Sequence, residues 1–127
     1  MVNLPVSQRS QVNITFFGAA GNVTGSSYVL EFNQTKVLID CGLYQEREYL
    51  ERNWNRFPFE AKTITAVLLT HGHLDHCGLL PKLFKEGFKG KIYSTNASLQ
   101  IAQIILNDSA KIQEEDATAK IKRHQKE

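Results

Sequence analysis

Thr63-Ile64-Thr65-Ala66-Val67-Leu68-Leu69-Thr70 is a continuous apolar run, and His71-Gly72-His73-Leu74-Asp75-His76 follows it at once. An unbroken apolar run of this length predicts a strand buried on both faces, as in the parallel sheets of layered α/β folds. Beyond the polar stretch, Leu79, Leu80, Leu83 and Phe84 recur at helical spacing. Gly87 stands where a helix C-terminus favours glycine. Lys91-Ile92-Tyr93-Ser94 reads as another short strand, and Ile101, Ile104, Ile105, Asp108 and Ile112 keep a helical period from about Asn96. Strand, loop, helix, strand, helix is a βαβ pattern, so the expected fold class is α/β.

The region before it reads as β. Val12 to Phe17 alternates, Gly18-Ala19-Ala20-Gly21 breaks the pattern, and Ser27 to Phe32 and Lys36 to Asp40 flank a polar turn at Asn33-Gln34-Thr35. Two short runs joined this way predict an antiparallel hairpin. The glycine-rich stretch from Gly18 to Ser27 fits neither the P-loop nor the dinucleotide fingerprint. It is either a loop able to approach a phosphate or ordinary turn chemistry. Gln45 to Phe57 is charged and aromatic with poor periodicity, and Pro58 stops any helix there.

Composition narrows the class. At 127 residues the chain is one domain, and 15 Lys+Arg against 13 Asp+Glu leave only +2, short of a nucleic-acid footprint spread over the whole chain. The basic run Lys120, Lys122, Arg123, His124 and Lys126 reads as a solvated helix end. Two cysteines, Cys41 and Cys77, make no disulfide framework and read as reduced thiols. Met1 to Ser10 has no signal-peptide layout, and no apolar run approaches a membrane span, so a cytoplasmic protein without membrane association is expected. The four Asn-x-Ser/Thr triplets then carry no meaning for glycosylation.

Three of the 4 histidines fall inside six residues, at the carboxyl end of the apolar strand, where α/β folds bind ligands. His71 and His73, with a glycine between them, can turn toward one point. Asp75 and His76 can offer a carboxylate and an imidazole to a second. Imidazole with carboxylate suits zinc, with manganese or iron as alternatives, and a pair of such ions can clamp a displacement at phosphorus. Asp40 closes the strand Val37-Leu38-Ile39 before Cys41-Gly42. It either makes a turn or orients a metal-bound histidine, and the cluster favours the second role.

His71-x-His73-x-Asp75-His76 resembles the central metal motif of the metallo-β-lactamase superfamily, and Leu38-Ile39-Asp40-Cys41-Gly42 resembles its preceding aspartate motif. Phe17 to Ser27, Leu69 to Pro81 and Asp108 to Ala117 resemble one branch, the β-CASP nucleases acting on RNA. The resemblance implies an αββα sandwich with a mixed sheet and flanking helices, of which residues 1–127 would be the N-terminal half. It implies a zinc-dependent RNA phosphodiester hydrolase, two Zn2+ per intact site, and metal-bound hydroxide attacking phosphorus. His71 and His73 would bind one zinc, Asp75 and His76 the other, with Asp75 and Asp40 as the candidate catalytic carboxylates. Alternatives are a small-molecule hydrolase of the glyoxalase or lactonase type, a DNA-directed relative, and a non-catalytic interaction module. The remaining ligands and the β-CASP insertion of family members are absent from these residues. The chain alone is therefore expected to be inactive. Its bare apolar faces, at Ala66–Leu69 and at Ile101, Ile104 and Ile105, are expected to drive homo-oligomerisation.

Overall fold

The computed structural model describes residues 11–125. The stretch read above as lacking a signal peptide, Met1 to Ser10, lies outside the described residues, as do Lys126 and Glu127. Five strands form one mixed sheet in chain order: β1 (Val12–Gly18), β2 (Ser27–Phe32), β3 (Thr35–Ile39), β4 (Ala66–Leu68) and β5 (Lys91–Tyr93). The first three are antiparallel, and β3, β4 and β5 run parallel. The expected hairpin is β2–β3, and Asn33 turns it at φ 54, a left-handed conformation that asparagine tolerates. Helices α1 (Leu74–Cys77) and α2 (Leu80–Lys85) connect β4 to β5, and α3 (Asn96–His124) follows β5. Together these elements make the α/β class with a mixed sheet and flanking helices.

Local sequence explains where the helices stop and start. Gly87, at φ 110, follows α2, with its N–H donating to Phe84 O at 3.0 Å and that of Phe88 to Leu83 O at 3.1 Å. This is the paired closing pattern that needs a residue in the left-handed region, and Phe88 buries itself as it closes. Thr95 caps α3, its hydroxyl accepting from Ser98 N. Gln45 to Phe57, too irregular to define from sequence, holds a 3-10 helix at Arg47–Asn53.

One expectation fails. The run from Thr63 to Thr70 gives a strand of only Ala66–Leu68, and it is not buried on both faces. Val67 is fully buried, whereas Leu68 is 43% exposed. Val29, Leu38 and Val67 point to the covered face and join Leu79, Leu80, Leu83 and Phe88 in the core. The opposite face carries the register row Phe16, Tyr28, Ile39, Leu68 and Tyr93, and nothing among the described residues covers it. Apolar composition alone does not distinguish a covered face from a bare one.

Candidate metal centre

The parallel end of the sheet builds the site. Residues 40–43, leaving β3, are laced to α1 by main-chain bonds. Cys41 N donates to His76 O at 2.8 Å, Leu43 N to Leu74 O at 3.0 Å, and Leu79 N to Cys41 O at 2.9 Å. Ser26 N reaches Asp75 O at 3.0 Å, so the glycine-rich loop is fastened to the same turn. On the other side, α3 passes over Gly72, where a side chain would meet Ala102 N at 2.8 Å. The histidine loop is thus held between the β3 end, α1 and α3.

All five candidate residues come together. The His71 ring lies 4.8 Å from that of His73 and 3.9 Å from that of His76, centroid to centroid. Asp40 is 1% exposed, and its carboxylate accepts from Thr70 N at 2.8 Å and from the Thr70 hydroxyl at 2.7 Å. Its Oδ2 also lies 2.8 Å from His76 Nδ1, so the proton belongs on that nitrogen. The Thr70 hydroxyl, having given its proton to Asp40, can only accept from His71 Nδ1 at 3.0 Å. One buried carboxylate therefore sets the tautomer of two histidines and leaves both Nε2 lone pairs available. His76 Nε2 then faces Asp75 Oδ2 at 3.4 Å, two acceptors across a gap that a cation suits. This donor set is the kind that binds zinc, although no three such groups among the described residues close around a single point. Thr70 was not singled out from the sequence, and only its position beside the first histidine hinted at it.

Both thiols stand apart from this chemistry. Burial pushes the Cys77 thiol up to about 11, with the charges of Asp40 and Asp75 adding to the effect, and burial raises Cys41 as well. Neither offers a thiolate at neutral pH.

The glycine-rich loop is not an empty anion cradle. Glu46, another residue missed in the sequence, fills it: its carboxylate accepts from Val23 N at 2.7 Å, Thr24 N at 2.8 Å and the Thr24 hydroxyl. The Thr24 hydroxyl and N–H hold the Glu46 carboxyl down to about 2. Its folded value lies below the 4.5 of an ordinary glutamate, so the clamp is complete above that pH and is lost as pH falls toward 2. We expect the protection of the Val23 and Thr24 amides against hydrogen exchange to fall in that acid window, and to be lost at pH 7 in Glu46→Ala. Equal protection in the variant would show that the loop holds itself.

The chain belongs to the metallo-beta-lactamase superfamily, whose family model matches residues 20–114. Ribonuclease TTHA0252 of Thermus thermophilus is 47% identical over 104 residues, covering 82% of this chain and 24% of that protein. Transcription termination factor FttA of Cenarchaeum symbiosum is 34% identical, covering 84% of this chain and 17% of that factor. Cleavage and polyadenylation specificity factor 73 of Drosophila melanogaster is also 34% identical, covering 86% of this chain and 16% of that factor. The chain thus spans less than a quarter of the length of these relatives. Among solved structures, human tRNase Z, short form, matches with a TM-score of 0.49 and 24% identity, over 76% of this chain and 40% of that one.

Proposed function

We propose that this chain carries the N-terminal half of the metallo-β-lactamase domain of a zinc-dependent RNA phosphodiester hydrolase of the β-CASP type. The observation that supports it most is the Asp40 network, which fixes His71 and His76 with Nε2 free. In this reading His71 and His73 hold one zinc, and Asp75 and His76 the other. Zinc bound there supplies Lewis acidity toward a phosphodiester and its attacking water. Asp40 keeps the imidazoles in register, and Asp75 adds the carboxylate facing the second ion. The names of the relatives, a ribonuclease among them, point to RNA as substrate, and an RNA substrate is in keeping with a cytoplasmic protein. Among the described residues no helix is long and apolar enough to cross a membrane.

We expect the 127-residue chain to bind at most one zinc ion and to cleave no RNA above background. A longer product of the same reading frame should cleave RNA, lose that activity to a chelator, and lose it in His73→Ala. Cleavage that survives both treatments would overturn the reading.

The bare sheet face supports a second part of the proposal, self-association of this chain. Val12, Ile14, Phe16, Leu68 and Tyr93 are each 43–61% exposed on that face. At about 25 cal/mol per Å2, hiding a few hundred Å2 contributes several kcal/mol before association entropy. Light scattering at tens of micromolar should report a dimer or larger, and Phe16→Lys should shift it toward monomer. A monomer in the unsubstituted chain would refute this part alone.

A further inference from the structure

Helices α2 and α3 and the end of the 3-10 helix enclose a groove of about 670 Å3, lined in part by Trp54, Arg56, Lys62, Lys82 and Lys85. Four cations and one carboxylate, Glu86, line it, a surplus of three where the whole chain carries only +2. Lys82 and Glu86 answer each other. Lys82 Nζ stands 3.9 Å from Glu86 Oε2, donates to the Asn55 carbonyl and lies 4.2 Å over the Phe57 ring. Arg56, Lys62 and Lys85 are all exposed, and among the described residues none of them has a carboxylate within 4.0 Å. Three positive charges thus line the groove without a counter-charge. Trp54, the single tryptophan of the chain, lines it too and is 76% exposed. Tyr49 has Arg52 over its ring, and Phe57 is taken by Lys82 and Phe59. Among the described residues no ring or cation covers the Trp54 indole, so its face is free.

Few ligands would use both features. A free phosphate or an acidic peptide needs only the cations, and a duplex hides its base faces. A single strand offers phosphates and stackable bases together, and proteins that hold one combine a positive groove with exposed aromatic rings. We propose that this groove is an accessory binding site for single-stranded RNA, with a base stacked on Trp54 and backbone phosphates on Arg56, Lys62 and Lys85. That the strand is RNA rests on the RNA-hydrolase reading of the metal centre. None of His71, His73, Asp75 and His76 lines the groove, so the site holds the strand away from the reacting phosphate. It adds affinity and takes no part in the chemistry.

The test is a fluorescence titration of the 127-residue chain with oligouridylate in EDTA, so that no metal-bridged contact contributes. The single tryptophan reports on the groove directly. We expect saturable quenching by oligouridylate, and none by inorganic phosphate or polyglutamate at the same ionic strength. Anisotropy of labelled oligouridylate then measures the variants, all of them surface changes. Trp54→Ala should weaken binding about tenfold, and Trp54→Phe should keep most of the affinity. Lys85→Gln should lower the slope of log affinity against log salt by about 0.7. Lys120→Gln with Lys122→Gln, at the far end of α3, should leave the quenching curve unchanged. Quenching by polyglutamate as strong as that by RNA would assign the groove to an acidic protein segment and overturn the proposal. So would an absence of quenching, or binding that is lost in the α3-end variant and kept in Trp54→Ala. The groove and the metal centre fail separately. RNA cleavage by the longer protein, with binding indifferent to Trp54, removes the groove and leaves the nuclease. Trp54-dependent binding by a protein that never cleaves RNA leaves an RNA-binding groove and removes the nuclease.

Discussion

Replacing Asp40 with asparagine should lower zinc affinity by about 10- to 100-fold while leaving the fold in place. The amide is nearly the same shape, but one side of it donates. If its NH2 takes the place of Oδ2, it donates to His76 Nδ1, which moves the imidazole proton to Nε2 and blocks the lone pair meant for metal. If its NH2 takes the place of Oδ1, it meets the donating Thr70 N–H. Asp40→Ala is the harsher change. It strands the Thr70 N–H and hydroxyl and places alanine at φ 61, at a combined cost of about 3 kcal/mol. Zinc titration with 15N spectra of His76 checks the first variant, and urea unfolding followed by near-UV ellipticity checks the second. An asparagine variant with unchanged affinity and an Nδ1-protonated His76 would show that Asp40 does not set the tautomer.

Much of this site was legible because its residues are adjacent in the chain. His71, His73, Asp75 and His76 lie on one turn, and strand-then-helix periodicity on either side fixed where that turn sits. Asp40 was legible as the residue that closes a strand. Glu46 was not, because its partners Val23 and Thr24 are more than twenty positions away and a lone glutamate in a charged segment looks like any other. Helix α1 was missed because four residues are too few to show a period. The strand alternation in Val12–Phe17 and Ser27–Phe32 was plain, yet which side of the sheet would be covered was not. That depends on Leu80, Leu83 and Phe88 folding back onto Leu38 and Val67. Sequence periodicity is local, and coverage is set by tertiary packing.

Gly42→Ala should destabilise the chain by about 3 kcal/mol or prevent folding, although it adds a single methyl group. An added Cβ would sit 1.6 Å from Asp75 O and 2.3 Å from Asp75 C. Those are backbone atoms at the start of α1, and they cannot swing aside. The turn that carries Asp75 and His76 would have to move away from residues 40–43, parting the bonds that join Cys41 to His76 and Leu43 to Leu74. Gly21→Ala is the matched control. It has a positive φ of 79 but nothing within 4 Å of the added atom, so it carries only backbone strain of roughly 1–2 kcal/mol. Urea midpoints of the two variants measure the difference. Equal effects would mean that the contact between Gly42 and Asp75 is not what closes the site.

Helix α3 is 29 residues, about 43 Å long, and only its first turns are seated. Ala102 is buried and Ile105 and Leu106 are partly so, while every described residue from Lys111 onward is exposed. A helical segment with so little tertiary contact is marginal in water on its own. Heating should therefore unwind it turn by turn from its far end, well before the sheet and its core give way together. Ellipticity at 222 nm would slope downward through temperatures at which the near-UV signal is still flat. The two optical probes would then report different midpoints, and no single melting temperature or van't Hoff enthalpy would describe this chain.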